Sequence, residues 1–133
     1  MLEMPDGFPP GNIREIRCGT GAMLGIYPLS GHPIPEARED AFRLEAYILE
    51  CRVKSGRRTA LLDFGTFHTA PECLIAPFPA MTFSGSSSAY TVFDVTDCPE
   101  QVQEGSILFF RLDYHALSRS LTSQALPFIL ENA

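Results

Sequence analysis

The stretch Phe42-Arg-Leu-Glu-Ala-Tyr-Ile-Leu-Glu-Cys-Arg-Val53, followed by Ser55-Gly-Arg-Arg58 and Thr59-Ala-Leu-Leu-Asp-Phe64, decides the fold of this 133-residue chain. Phe42, Leu44, Ala46 and Ile48 recur at every second position, which puts them on one face of an extended strand. Tyr47, Leu49, Cys51 and Val53 occupy the other face. An apolar set that changes phase near Ile48-Leu49 predicts a β-bulge, or a strand covered on both sides in its middle. Glu, Arg, Leu and Ala would also suit a helix. Against a helix, Ser55-Gly56-Arg57-Arg58 reads as a hairpin turn and Thr59 to Phe64 as the returning strand.

Further along the chain, Ala89-Tyr-Thr-Val-Phe-Asp-Val95 is β-branched and aromatic and predicts a strand. Ser106-Ile-Leu-Phe-Phe-Arg-Leu112 predicts another, with Glu104-Gly105 as the turn before it. Tyr114 to Leu121 fits a short terminal helix. The region before residue 40 has a different character. Asn12 is a candidate N-cap for one helical turn at Ile13-Arg-Glu-Ile-Arg17. Ala22-Met-Leu-Gly-Ile-Tyr27 is a short apolar run that, by its length, reads as a buried strand. The 11 prolines and 10 glycines cluster at Pro5 to Gly11, Pro28 to Pro35, and Pro71 to Pro79. No long helix can cross such clusters, because proline fixes φ and lacks a backbone donor. Four or five strands with little helix make the chain mainly β, a small antiparallel barrel or sandwich.

Composition bounds the function. Hydrophobic residues are 45% and charged residues 20% of the chain, enough to bury a core without metal or disulfide staples. The net charge of −6 argues against a nucleic-acid or anionic-membrane surface, since binding of that kind needs clustered Lys and Arg. Lys54 is the only lysine. No apolar run approaches the roughly 20 residues that span a bilayer. The N-terminus lacks the basic start and apolar middle of a secretory signal, so an intracellular, cytoplasmic protein is expected. Cys18, Cys51, Cys73 and Cys98 are too dispersed for a disulfide framework. His32, His68 and His115 add no zinc-ligand spacing, so no metal site is expected.

Few residues suggest chemistry. Cys18-Gly19-Thr20-Gly21 forms a G-x-G turn whose successive amides can cradle a phosphate, or can simply make a tight turn. Arg17 just before it is either a solvated charge or a guanidinium aimed at a phosphate or a ring nitrogen. Ser86, Ser87 and Ser88 have no histidine at a recognisable spacing, so a polar turn fits them better than a nucleophile. Tyr114, in Asp113-Tyr-His115, is an amphipathic edge residue or a ligand contact. Asp63 and His68 flank Gly65 without any metal spacing.

Taken together, several of these stretches resemble one family. They are Ile13-Arg-Glu-Ile-Arg-Cys-Gly-Thr-Gly-Ala-Met-Leu-Gly25, Glu39-Asp-Ala-Phe-Arg-Leu-Glu-Ala-Tyr-Ile-Leu-Glu50, Gly85-Ser-Ser-Ser-Ala-Tyr-Thr-Val-Phe-Asp-Val-Thr-Asp97, Gly105-Ser-Ile-Leu-Phe-Phe-Arg-Leu-Asp-Tyr-His-Ala-Leu117 and Leu121-Thr-Ser123. In order and spacing they resemble the C-terminal portion of the alanine racemase-like, pyridoxal-phosphate-dependent amino-acid racemases, the ornithine racemase branch in particular. The resemblance implies that residues 1–38 are the last β/α unit of a (β/α)8 barrel plus a linker, and residues 39–133 a C-terminal β domain. It implies that Arg17 bonds the pyridine nitrogen of the cofactor and that Gly19, Thr20 and Gly21 offer amides to its phosphate. Tyr114 is implied to reach the same phosphate, while Ser86, Ser87 and Ser88 face an amino-acid substrate across a homodimer. The chain departs from the family at several points. The Schiff-base lysine of the first barrel strand has no counterpart, and neither have seven of the eight barrel strands. The catalytic tyrosine of alanine racemases is absent, and Ala89-Tyr90 replaces the Asp-His pair expected after the serines. Activity of the chain alone is therefore not expected. The alternative reading is a non-catalytic β-barrel module for binding or dimerisation, with the edge at Ala22 to Tyr27 in need of a cover.

Overall fold

The computed structural model describes residues 19–131. Six strands form one antiparallel sheet: β1 (Arg43–Lys54), β2 (Arg57–Leu62), β3 (Leu74–Ile75), β4 (Thr82–Ser86), β5 (Thr91–Asp94) and β6 (Ile107–Leu112). Their spatial order is β3-β6-β1-β2-β5-β4. Two helices, α1 (Thr20–Leu24) and α2 (Tyr114–Ser123), flank them.

β1 explains the curvature. Its first half, Arg43 to Tyr47, pairs with β6, and its second half, Ile48 to Lys54, pairs with β2. The change of partner falls at the register shift between Ile48 and Glu50, where the sequence pattern changes phase. A bulge bends its strand and sharpens the twist, so the sheet curls into a half-barrel with β3 at one edge and β4 at the other. Leu44, Ala46 and Ile48 point inward, as alternation predicts, and Tyr47 and Leu49 stay exposed. The core centres on three aromatic rings. Phe110 lies 5.7 Å from Phe64 and 5.3 Å from Phe93, all three buried.

The hairpin is tighter than its sequence suggests. Ser55 and Gly56 alone make the turn, both with positive φ (51° and 77°). That conformation matches the twist of the flanking strands, and glycine tolerates it at little cost. Arg57 and Arg58 therefore belong to β2. On the other side of the molecule, the turn expected at Ser86, Ser87 and Ser88 begins one residue late, because β4 runs through Ser86 with a bulge between Phe83 and Gly85.

The strand expected at Ala22 to Tyr27 is not formed. Thr20–Leu24 is helical, closed by bonds from Met23 N to Gly19 O (3.0 Å) and Gly25 N to Gly21 O (3.1 Å). Only Ile26 keeps a β-bridge, to Pro33. A short apolar run fits either element, and with no neighbouring strand to share a ladder among the described residues the local bonds prevail. Leu24 is buried in the same core as the sheet. The turn proposed at Asn12 to Arg17 lies outside the described residues. Among the described residues no helix is long and apolar enough to cross a membrane.

Candidate functional site

Tyr114 is the first residue of α2, directly beyond the end of β6. Asp113 caps the helix, its carboxylate accepting from Ala116 N at 2.7 Å and its carbonyl from Leu117 N at 3.0 Å. Such a cap satisfies amides left unpaired at a helix start. Ala116 and Leu117 are buried and anchor the helix, while Tyr114 remains half exposed.

The phenol of Tyr114 lies against Gly19. A Cβ built on Gly19 would come 3.3 Å from the Tyr114 hydroxyl and 3.4 Å from its Cε2. The fold thus joins the glycine turn that opens α1 to the tyrosine that opens α2. The bare backbone of Gly19 lets the Tyr114 ring pack directly against it, where a side chain would crowd the phenol. The amides of a first helical turn have no intrahelical acceptor, and a phenolic hydroxyl donates as well as accepts. An anionic ester is the group such donors suit. Arg17 and Cys18, which precede this turn, lie outside the described residues.

The serines form a second locus. The carbonyls of Ser87 and Ser88 accept from Thr66 N and Phe67 N, both at 2.9 Å, and the Thr66 hydroxyl also reaches Ser87 O at 3.3 Å. Gly65 makes this approach feasible, since a Cβ there would collide with the carbonyls of Ser87 and Ser88. The Ser87 hydroxyl is engaged within its own turn by Tyr90 N at 3.1 Å. In the sequence Gly65 stands out only as the residue that Asp63 and His68 flank. The structure gives those two residues backbone partners instead. Asp63 Oδ1 accepts from Tyr47 N, and His68 Nδ1 accepts from Gly65 N at 3.1 Å. A glycine between Phe64 and Thr66, at the end of a strand, was the available signal for a close backbone approach.

Lys54 lies far from both loci in the sheet. It ends β1 at the hairpin, opposite the end where Arg43 pairs with Arg111 just before Tyr114. Cys73, whose carbonyl receives Asp113 N, has its thiol pushed up by burial, with nearby Asp113 and Glu72 adding to the shift. It stays a neutral thiol at neutral pH and is a poor nucleophile. Cys51 and Cys98 are likewise raised by burial.

Compared with known proteins, the chain is 26% identical over 144 residues to the ornithine racemase of Acetoanaerobium sticklandii. That alignment covers 92% of this chain and falls on the C-terminal portion of the racemase. The chain spans 39% of the length of the curated relative it matches. No family model matches, and no solved structure matches.

Proposed function

We propose that this chain is the C-terminal part of a cytoplasmic, pyridoxal-phosphate-dependent amino-acid racemase of the ornithine or alanine type, inactive by itself. The observation that carries the reading is the alignment of nearly the whole chain with the C-terminal portion of an ornithine racemase. The contact between Tyr114 and the Gly19 turn supports the placement of a phosphate there. When bound, pyridoxal phosphate supplies an electron sink for proton removal at an amino-acid α carbon.

The roles proposed for this chain's residues are those the resemblance implies. The Gly19, Thr20 and Gly21 amides and the Tyr114 hydroxyl hold the phosphate by hydrogen bonds. Arg17 donates to the pyridine nitrogen and keeps it unprotonated, because a guanidinium does not give up its proton. Ser86, Ser87 and Ser88 line the substrate side. Residues 1–38 complete the barrel and 39–133 form the β domain, with Leu24 locking the two together. The Schiff-base lysine and the other barrel strands are not among these 133 residues; a barrel that carries them completes the cofactor site, and a homodimer or association with a barrel chain brings the β domain to it.

Titrating pyridoxal phosphate into the isotope-labelled full chain and following its amide resonances tests this reading. Shifts at Arg17, Gly19, Thr20, Gly21 and Tyr114, weakened in Tyr114→Phe, are expected. Absence of any response at these positions would overturn the assignment. A cofactor adduct on Lys54 after borohydride reduction would equally contradict it.

A further inference from the structure

We infer that the Gly65–Thr69 turn is the positioning element that fixes the serine locus relative to the helix carrying Tyr114. This inference rests on the proposed function only for what the two loci bind; the coupling itself stands on contacts.

The turn is bonded on both sides. Toward the serines it offers the Thr66 and Phe67 amides and the Thr66 hydroxyl, all to the carbonyls of Ser87 and Ser88. Toward α2 it makes two contacts. The Arg119 guanidinium donates to Thr66 O at 2.9 Å, and the buried Thr69 hydroxyl donates to Ala116 O at 3.2 Å. Ser120 Oγ lies 2.8 Å from Ala116 O and 2.9 Å from Thr69 Oγ1, its single proton serving one of these acceptors at a time, and closes the set. Inside the turn, His68 N and Thr69 N both return to Gly65 O, and His68 Nδ1 holds Gly65 N.

Thr66 is thus held by Ser87 on one side and by Arg119 on the other. The Arg119 bond is charge-assisted, and such bonds are among the stronger ones available to a carbonyl. Gly65 sets the separation, because any side chain there would push the Ser87 and Ser88 carbonyls away. A ligand spanning Tyr114 and the serines would meet two walls held at one spacing. The entropy of fixing that spacing is already met in the fold, as preorganised sites require. Gly65 and Arg119 are therefore positioning residues, distinct from any group that touches substrate.

Amide hydrogen exchange in the full chain tests this without any ligand. Arg119→Ala and Thr69→Val should each raise exchange at Thr66 and Phe67 by about tenfold, the equivalent of one lost hydrogen bond. Arg119→Lys, which keeps a cationic donor, should restore most of the protection. Exchange at Ala46 and Leu108 in the sheet should not change. Unchanged exchange at Thr66 and Phe67 in folded Arg119→Ala would overturn the inference. So would a uniform rise that includes Ala46 and Leu108, which marks a residue that merely supports the fold. Titrating L-ornithine and inorganic phosphate into the wild-type chain separates the two claims. With no shift at Ser87, Ser88 or Gly19 the racemase reading falls, while the exchange result still decides the coupling.

Discussion

The hairpin end of the sheet and the end that carries Tyr114 solve the same problem, reversing the chain, by different means. At the hairpin, Ser55 and Gly56 turn β1 into β2 with two local positive-φ residues, and a Cβ on Gly56 would meet nothing. At the other end, the Gly65–Thr69 turn is tied to the Ser86–Tyr90 turn and, through Ala116 and Arg119, to α2 by bonds between distant residues. A local turn tolerates change because it constrains only itself. A cross-tied cluster transmits any displacement to its partners, and that is where binding groups gain a fixed geometry.

The largest expected effect removes what both ends share. Phe110→Ala empties the space between Phe64 and Phe93 and should destabilise the chain by about 4 kcal/mol, read from urea unfolding. A loss near 1 kcal/mol would mean that the three rings are not the common core. Next comes a paired test of the comparison itself. Gly65→Ala forces a Cβ into two backbone carbonyls and should lose about 3 kcal/mol, whereas Gly56→Ala, limited to an unfavourable φ, should lose about 1 kcal/mol. Equal losses would erase the distinction between the ends.

A smaller effect belongs to the hairpin end alone. The Thr96 hydroxyl and amide, followed by the Arg57 guanidinium, hold the Asp94 carboxyl at about 2, below the ordinary carboxylate range. Because the folded value lies below the unfolded one, this stabilisation is fully present above about pH 4 and is lost as pH falls toward 2. Asp94→Asn should therefore lose more stability at pH 6 than at pH 2.5, in urea midpoints compared with wild type. A constant difference across that window would contradict the assignment. The smallest effect is expected at Lys54. Lys54→Gln should leave both stability and the pyridoxal-phosphate-induced shifts unchanged, since Lys54 ends β1 away from Tyr114.

Much of the sheet was legible because strand alternation is a local property. Leu44, Ala46 and Ile48 announced the inner face of β1, and their change of phase announced the bulge that bends it. The terminal helix was equally plain, and it runs two residues past Leu121, to Ser123. Ala22 to Tyr27 was misread because an apolar run of that length satisfies strand and helix alike, and the absence of a neighbouring strand is not written in it. β3 was invisible because a two-residue ladder leaves no periodicity.

The candidate site divides in the same way. Gly19 and Tyr114 could each be singled out by residue type, but their contact depends on how α1 and β6 end in space. The role of Gly65 was hidden altogether, since a glycine required by an approaching backbone looks in sequence like any other.

By itself the amino-acid order determined the strand-rich class, the long bent strand, the presence of a hairpin after it and the helix after Asp113, because each arises from patterns within a few neighbouring residues. Only the tertiary structure decided that the partner of β1 changes at the bulge, that Tyr114 rests on Gly19, and that one turn holds both the serines and α2. Those outcomes depend on pairing between segments far apart in the chain, which packing selects and no local window contains.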